Sequence, residues 1–316
     1  MRSPEPTRED VRAGVLPLEL RAHLRNLAVR DEVVRGRAIR HARPLRPADG
    51  LRAEAPLASD RVFVCGREEI DLLGDRAAGP ERVRRLCAAR PPLIVLADAV
   101  AVPPGLDRAA SEAGIVLVTT DTPASRALLV LERFLVRALA PRVRIHGVLM
   151  DLHGLGVVLL GESGIGKSEC ALELISRGHR LVADDAVDIR LIEGELVGEA
   201  PELSRYHIEV RGLGIVNARE LFGAAAVRDS KRVDLAVELV PLAAAPEGGR
   251  LSRGTRRWEV LGVEIPLARL PVAPGRNVAV LLEVAARQEL LRQRGRDTGS
   301  RLADELEARL RRDGDR

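Results

Sequence analysis

Hydrophobic and polar positions between residues 61 and 140 switch repeatedly between two spacings. Short apolar runs rich in β-branched residues predict three strands, at RVFVCG (61–66), PLIVLAD (92–98) and IVLVTT (115–120). Apolar residues at helical spacing predict three helices, at PERVRRLCAA (80–89), GLDRAASEAG (105–114) and PASRALLVLERFLVRALA (123–140). Strands that alternate with helices are typical of a mostly parallel sheet, so this region predicts a small α/β domain.

The pattern changes after Pro141. RIHGVLMDLHGLGVVLLG (144–161) predicts two strands joined by a turn at His153–Gly154, and KSECALELIS (167–176) predicts a helix. The final stretch, SRLADELEARLRRDGDR (300–316), has the spacing of an amphipathic helix that runs into a charged tail. We therefore predict two α/β domains, over residues 1–140 and 141–316.

Composition narrows the classes of function. The 50 basic and 46 acidic residues nearly cancel to a net charge of +4, and aromatic residues are 2% of the chain, so we expect no nucleic-acid partner. No apolar run reaches the roughly 18 residues of a membrane span, and the first residues lack the apolar core of a secretory signal. Cys65, Cys87 and Cys170 form no CxxC pair, which favours a reduced, cytoplasmic setting without a membrane partner.

The clearest chemistry lies in a phosphate-binding pattern. It comprises Gly161, Glu162, Ser163, Gly164, Ile165, Gly166, Lys167 and Ser168, and it fits G-x-x-x-x-G-K-[ST] between a predicted strand and a predicted helix. Backbone N–H groups of such a loop face an anion, Ser168 can bind Mg²⁺, and Lys167 reaches phosphates as a compact charge. Lys167 is one of two lysines in an arginine-rich chain, which favours phosphate binding over a glycine-rich turn that only caps a helix.

Two adjacent carboxylates, Asp184 and Asp185, end the apolar strand of RLVADDAVDIR (180–190). One helix and one connection separate that strand from the phosphate loop, so the strand could lie beside the one that precedes the loop. Neighbours on a strand point to opposite faces, so at most one carboxylate faces the phosphates unless the strand ends there. Such a carboxylate can accept a hydroxyl proton or hold metal-bound water; the alternative is a pair of turn aspartates.

Three segments in order make the chain resemble HPr kinase/phosphorylases, closely over residues 144–287: the phosphate-loop region 146–190, IEVRGLGIVNARELFGAAAVR (208–228) and PVAPGRNVAVLLEVAA (271–286). The resemblance implies a catalytic domain similar in fold to phosphoenolpyruvate carboxykinase. It implies a cytoplasmic, typically homohexameric enzyme that phosphorylates a seryl hydroxyl of the phosphocarrier HPr, using ATP or pyrophosphate. The same enzyme would remove that phosphate with inorganic phosphate, giving pyrophosphate.

The resemblance also assigns individual residues. It places Ser168 and Glu209 on Mg²⁺ (or Mn²⁺), with Asp184 sharing the metal shell. Its catalytic set is His146, Lys167, Asp185 and Arg250, in which Asp185 takes the seryl proton and returns it in the reverse direction. The surroundings of Arg250 depart from the family pattern, so Arg253 is an alternative. Without the resemblance, His146 would be predicted as a packed histidine and Glu209 as a solvent-facing strand carboxylate.

Two further segments carry roles. The most specific part of the resemblance includes Ile208, Glu209, Val210, Arg211, Gly212, Leu213, Gly214, Ile215, Val216 and Asn217. The other segment is Pro271, Val272, Ala273, Pro274, Gly275 and Arg276, which predicts a rigid turn where Arg276 and Asn277 offer donors to an anion. The resemblance assigns that turn mainly to phosphorolysis, and it gives no role to His153, where the family often has tyrosine.

Two other functions fit a phosphate-binding loop: a nucleotide-sensing regulatory module and a kinase of a small molecule. A sensor needs no proton acceptor, so Asp185, Glu209 and the 271–276 turn argue against the first.

Overall fold

A computed structural model describes residues 7, 23–29, 37–53, 55–244, 256–273 and 275–296. Arg250, Arg253, Pro274 and the predicted C-terminal helix at 300–316 lie outside these ranges. The chain divides into two compact units: one is Arg8–Ala140, and the other joins Pro141–Arg316 to Met1–Thr7. Thr7 pairs with Arg142 through two backbone hydrogen bonds of 2.8 and 2.9 Å.

The first unit is a four-stranded sheet with helices on both faces. Its strands are β1 (Ala28–Val29), β2 (Phe63–Cys65), β3 (Leu93–Leu96) and β4 (Val116–Thr119), in the order β1-β4-β3-β2. Strands β2, β3 and β4 are parallel, and β1 is antiparallel to β4. The helices are α1 (Ala48–Arg52), α2 (Arg67–Leu73), α3 (Gly79–Ala88), α4 (Leu106–Glu112) and α5 (Ala124–Ala138). The three strands and three helices predicted from hydrophobic spacing are confirmed.

Strands β2, β3 and β4 of this sheet are buried on both sides. Val64, Val95 and Val118 pack in a core with α5, whereas the residues that alternate with them, such as Ile94, belong to a core that includes Leu86 of α3. Burial on both faces explains why these strands read as continuous apolar runs rather than as alternating ones.

The second unit contains twelve strands and three helices among its described residues. The strands are β5 (Arg142–His146), β6 (Val148–Leu152), β7 (Leu155–Leu160), β8 (Arg180–Ala183), β9 (Ala186–Ile192), β10 (Glu195–Glu199), β11 (His207–Val210), β12 (Gly214–Asn217), β13 (Ser230–Arg232), β14 (Leu235–Pro241), β15 (Arg256–Val260) and β16 (Val263–Val272). The helices are α6 (Lys167–Ser176), α7 (Ala218–Phe222) and α8 (Val278–Gln293).

A six-stranded sheet, ordered β15-β16-β14-β7-β6-β8, forms the middle layer of this unit. Val157 and Leu159 of β7 face a core shared with α6 and α8, whereas Val158 and Leu160 face the four-stranded sheet β13-β10-β9-β5. Strands β11 and β12 form a separate hairpin. None of the helices in the described ranges is long and apolar enough to cross a membrane.

Residues 144–161 contribute to three strands, so the prediction of two is wrong. The strand is interrupted at Gly147, so that β5 belongs to the four-stranded sheet while β6 and β7 belong to the six-stranded one. A Cβ on Gly147 would lie 2.7 Å from the carbonyl oxygen of Leu159, so only glycine fits this close approach. The predicted turn is confirmed: His153 and Gly154 have φ of 54° and 88°, as a two-residue hairpin turn requires.

Strand β8 does not lie beside β7, as its spacing from the phosphate loop had suggested. Strand β6 takes the position next to β7 because the two-residue turn pairs them locally. Since β6 is antiparallel to both β7 and β8, those two strands run in the same direction. Their carboxyl ends therefore meet at one edge of the sheet, and Asp184 and Asp185 still reach the edge that carries the phosphate loop.

Candidate active site

The phosphate loop connects the carboxyl end of β7 to the first turn of α6. Gly161, Gly164 and Gly166 have φ of 141°, 79° and 100°, which side chains with a Cβ rarely adopt. A Cβ on Gly161 would also lie 2.6 Å from the carbonyl oxygen of Leu239 on β14. These glycines let the backbone curl before α6 begins, so the helix N-terminus with its free N–H groups opens toward the sheet edge.

Lys167 is the first residue of α6, and its side chain is held inside the loop. Its Nζ donates hydrogen bonds of 3.0 Å to the carbonyl oxygens of Gly161 and Glu162, and the residue is buried. Burial lowers the pKa of Lys167, whereas attraction by Asp185 and Asp184 opposes that change. The ammonium thus lies between the loop backbone and two carboxylates, where an incoming polyanion would meet it.

Asp184 joins three elements at this edge. Its Oδ1 accepts a hydrogen bond of 2.9 Å from Ser168 Oγ on α6, and its Oδ2 accepts one of 3.0 Å from the backbone N–H of Glu209 on β11. Burial raises the pKa of the Asp184 carboxyl, and the hydrogen bonds from Glu209 and Ser168 partly offset this change. A carboxylate beside the loop serine is an arrangement of hard oxygen ligands that suits Mg²⁺.

Asp185 turns away from Asp184 because β8 ends at Ala183. Its φ is 65°, a left-handed conformation that aspartate tolerates better than most residues. The exposed carboxylate lies at the sheet edge, with Oδ1 3.0 Å from Nδ1 of His146, and the same Nδ1 lies 3.0 Å from the Asp185 carbonyl oxygen. His146 is therefore exposed beside a carboxylate and is not the packed histidine that its sequence neighbours alone favoured.

The hairpin β11–β12 presents the 208–217 segment at the same edge. Glu209 is exposed while Ile208 is buried, as strand alternation predicts, and its backbone contact with Asp184 fixes it beside the loop. An Nη atom of Arg211 comes within 3.9 Å of the position a Cβ would occupy on Gly164, so the Arg211 guanidinium lies against the phosphate loop. Arginine content is too high throughout this chain for sequence spacing to mark Arg211.

The 271–276 turn begins on β16 and leads into α8. Arg276 is exposed, and its backbone N–H donates to the carbonyl oxygen of Ala273 at 3.1 Å. The Asn277 Oδ1 caps α8 by accepting from the N–H of Val280, and the Asn277 Nδ2 donates to Glu173 on α6 at 2.7 Å. The expectation that Asn277 offers its donors to an anion is therefore only partly met, because Glu173 takes one of them. No helical spacing in the sequence singles out Glu173.

The site thus combines residues from four parts of the second unit: the phosphate loop with the start of α6, the end of β8, the end of β5 and the β11–β12 hairpin. Hydrogen bonds join Asp184 to Ser168 and to Glu209, and His146 contacts Asp185. The charges of both aspartates act on Lys167 in the loop. Arg276 stands apart from this group. Its neighbour Asn277 contacts Glu173, which lies six residues after Lys167, roughly 9 Å along the helix axis at the usual rise. The turn that carries Arg276 therefore lies against the side of α6 and not at the loop.

Comparisons with known proteins point to one family. The family described as "HPr Serine kinase N terminus" matches residues 26–135, and "HPr Serine kinase C-terminal domain" matches residues 137–306. The HPr kinase/phosphorylase of Geobacter sulfurreducens is 39% identical over 257 residues, which are 80% of this chain and 81% of that protein. The HPr kinase/phosphorylase of Halalkalibacterium halodurans is 42% identical over 249 residues, 78% of this chain and 80% of the relative.

A solved structure also matches. The Hpr(Ser) kinase/phosphatase from Coxiella burnetii has 34% sequence identity and a TM-score of 0.47, and the match covers 51% of this chain and 98% of that one.

Proposed function

The chain belongs to the HPr kinase/phosphorylase family, and from this membership we infer that it transfers a phosphoryl group from ATP to a serine of HPr and also removes that group. For the reverse direction we propose phosphorolysis, in which inorganic phosphate is the acceptor and pyrophosphate the product, with pyrophosphate as an alternative donor. The observation that carries the proposal is the meeting of a buried loop lysine, a Ser168–Asp184 pair and an exposed Asp185 at one sheet edge.

We assign the forward proton transfer to Asp185. As the seryl oxygen bonds to the γ-phosphorus, its proton passes to the Asp185 carboxylate and the bond to the β-phosphate oxygen breaks. His146 lies 3.0 Å from the carboxylate and holds it toward the substrate. In reverse, a phosphate oxygen attacks the phosphoserine and the departing seryl oxygen regains a proton from Asp185.

The phosphate loop supplies binding and charge stabilisation. Its N–H groups and the α6 N-terminus bind the phosphates, and Lys167 exchanges its two carbonyl partners for phosphate oxygens. We propose that Arg250, or Arg253 in its place, neutralises further charge near the phosphates, and that Arg276 holds the attacking phosphate. This last role requires the Arg276 side chain to reach along α6 toward the loop.

The residues at the loop fit a hard divalent cation. Ser168 Oγ is 2.9 Å from the buried Asp184 carboxylate, which also accepts the backbone N–H of Glu209. The side chains of all three residues offer oxygens, the donors that Mg²⁺ or Mn²⁺ prefers. We propose that Ser168 and Glu209 hold the ion, with Asp184 binding its water ligands. When bound, such an ion neutralises charge on the phosphates.

The test is a two-stage assay with purified HPr. ATP and Mg²⁺ are added first and phosphoserine is quantified; inorganic phosphate is then added and pyrophosphate is measured. HPr with its acceptor serine replaced by alanine is the control. We expect phosphorylation followed by pyrophosphate release in step with loss of phosphoserine. ATP binding without transfer would instead support a nucleotide sensor, and ATP turnover that ignores HPr would support a small-molecule kinase.

We also propose that the enzyme is a cytoplasmic homohexamer. The three cysteines are free thiols, which suits a reducing compartment, and α8 exposes Val280, Val284 and Leu291 at the surface of the chain. Light scattering coupled to size-exclusion chromatography measures the assembly directly, and a mass of one 34.3 kDa chain would contradict the proposal.

A further inference from the structure

A cluster of two histidines and a glutamate lies at the end of the six-stranded sheet opposite the phosphate loop. His153 occupies the β6–β7 turn, His179 precedes β8, and Glu283 lies on α8. One potential ligand atom from each residue falls within 4.8 Å of the others. Ten residues of α6 separate this end from the loop, roughly 15 Å at the usual helical rise, so the cluster takes no part in the site described above.

The cluster is ordered by its own contacts and partly shielded from water. His179 is buried, and its Nε2 lies 2.8 Å from Glu283 Oε1. The His153 and His179 rings meet edge to face with centroids 4.6 Å apart. Two imidazole nitrogens and a carboxylate oxygen from three separate elements are the donor set of zinc sites that keep one coordination position open.

The tautomer of His153 suits metal binding. Nε2 of His153 lies 3.2 Å from Nε of Arg287, and because an arginine N–H can only donate, this nitrogen carries the lone pair. A cation would therefore take the place of Arg287 at Nε2 of His153 and of the hydrogen bond between His179 Nε2 and Glu283.

Two arginine side chains lie at the cluster, and their positive charges oppose cation binding until they move away. Arg287 contacts His153, and Arg177 lies 3.5 Å from the second oxygen of Glu283. The Arg287 residue is exposed and the Arg177 side chain is about one-third exposed, so their guanidinium groups can turn into solvent. The Glu283 carboxylate and two imidazole nitrogens then face the ion.

We propose that His153, His179 and Glu283 form a binding site for a divalent transition-metal ion, with Zn²⁺ as the best match. Binding needs the lone pair of His179 Nε2, so the N–H of that ring moves to Nδ1, and water takes the fourth position. The ion would fasten α8 to the β6–β7 turn and to the start of β8, so its effect is on the stability of this unit rather than on phosphoryl transfer.

The test uses tag-free, full-length protein stripped with a chelator and kept in excess Mg²⁺, which occupies oxygen-rich sites. Zn²⁺ is titrated by calorimetry, and Co²⁺ is used as a probe because four- or five-coordinate cobalt absorbs strongly in the visible. In His153→Asn the new residue also tolerates positive φ, so the turn is kept. In Glu283→Gln the amide oxygen can still accept a hydrogen bond from His179. His41→Asn, at an exposed histidine of the other unit, is the matched control.

We expect one Zn²⁺ per chain, a visible Co²⁺ band, a rise in melting temperature with Zn²⁺, and roughly 100-fold weaker binding in both cluster variants but not in His41→Asn. Zn²⁺ affinity that is equal in wild type, His153→Asn and Glu283→Gln would overturn the proposal. Binding weaker than roughly 100 μM in the wild type would overturn it as well, since that strength is reached by scattered surface histidines.

Discussion

At the scale of single residues, Asp184 is held at a cost to stability. Its carboxylate is buried with a raised pKa, although Ser168 and the Glu209 N–H each donate a hydrogen bond to it. The buried charge is retained next to the phosphate loop, where the role proposed above has its oxygens bind the water ligands of a metal ion. Replacing a functional group whose charge is disfavoured by burial is expected to increase stability and to decrease activity.

Asp184→Asn should raise stability and remove activity. The amide oxygen can accept from Glu209, and the amide nitrogen can donate to the Ser168 hydroxyl, so both contacts survive without the buried charge. We expect a gain of about 1 kcal/mol in the free energy of unfolding at pH 7 and at least a roughly 100-fold loss of kinase activity. Thermal melts and the HPr assay measure the two effects.

The pH dependence of that gain follows from the raised pKa. The folded protein holds the Asp184 proton to a higher pH than the unfolded chain does, so wild-type stability falls as pH rises from the unfolded pKa through the folded one. The advantage of Asp184→Asn should therefore be present at neutral pH and vanish below about pH 4. An advantage that grew on acidification would contradict this account.

Asp185 has a different environment, and its replacement should have a different result. Asp185→Asn removes a proton acceptor that is exposed beside His146, so we expect kcat to fall roughly 10²–10⁴-fold in both directions. ATP affinity should change little because the phosphate loop is intact. Equilibrium binding of a fluorescent ATP analogue checks this, and a large loss of affinity would show that Asp185 serves binding rather than proton transfer.

At the scale of elements, a side-chain contact ties the start of α8 to α6. Asn277 caps α8 with its oxygen and holds Glu173 of α6 with its nitrogen, so the 271–276 turn is tied to the helix that carries Lys167. The hydrogen bonds from Asn277 and Arg177 lower the pKa of Glu173, which keeps this link formed at neutral pH. This contact positions the 271–276 turn, in which Arg276 is the one cationic residue.

Arg276→Ala should therefore affect the two directions unequally. We expect the KM for inorganic phosphate to rise roughly tenfold in dephosphorylation, while the kinase direction changes less than about twofold. Asn277→Asp is a companion variant: it keeps the cap but places a second carboxylate against Glu173, so it should reproduce part of the phosphate effect. Equal losses in both directions would refute a special role of Arg276 in phosphorolysis.

Elements that are set by residues close together in sequence were predicted correctly, whereas those set by contacts between distant segments were not. The strand β7, the loop and α6 follow from local spacing and from glycines that need positive φ, so pattern alone located them. The neighbour of β7 depends on competition between a two-residue hairpin and a longer crossover, and the hairpin prevailed. The end of strand β8 at the two aspartates was predicted from the sequence, but the left-handed φ of Asp185, which separates it from Asp184, was not.

Side-chain partners were harder to predict than backbone. His146 meets Asp185 because β5 pairs with β9 across a sheet that is separate from that of β7, a pairing between distant segments. Glu173, Arg211 and the His153 cluster likewise depend on contacts between elements far apart in sequence. Arg211 could not be singled out because arginines are frequent throughout the chain. Glu173 could not be singled out because its sequence position is that of an ordinary polar residue on a helix.

At the scale of the whole molecule, each unit carries its own core, and the single tryptophan lies in only one of them. Trp258 is buried between the two large sheets of the second unit. Its fluorescence therefore reports on the unit that holds the phosphate loop and is blind to residues 8–140. This makes it a selective probe of where a destabilising change acts.

Gly156→Ala should destabilise the second unit severely. A Cβ on Gly156 would lie 1.7 Å from the carbonyl oxygen of Arg232, so β7 and β13 could not keep their present approach. We expect a loss of about 3 kcal/mol or more in the free energy of unfolding, measured by Trp258 fluorescence. Gly178→Ala, which meets no atom within 4 Å but has φ of 90°, is the control and should lose only about 1 kcal/mol.

The two lysines of the chain bracket one strand. Lys167 donates to carbonyl oxygens just after β7, and Lys231 donates to that of Gly154 just before it. An acylating reagent thus finds only two side-chain amines in the protein, both poorly exposed at 6% and 13%, and the lowered pKa of Lys167 favours its reactive neutral form. Mass spectrometry after mild acylation would therefore read nucleotide occupancy from the protection of a single peptide.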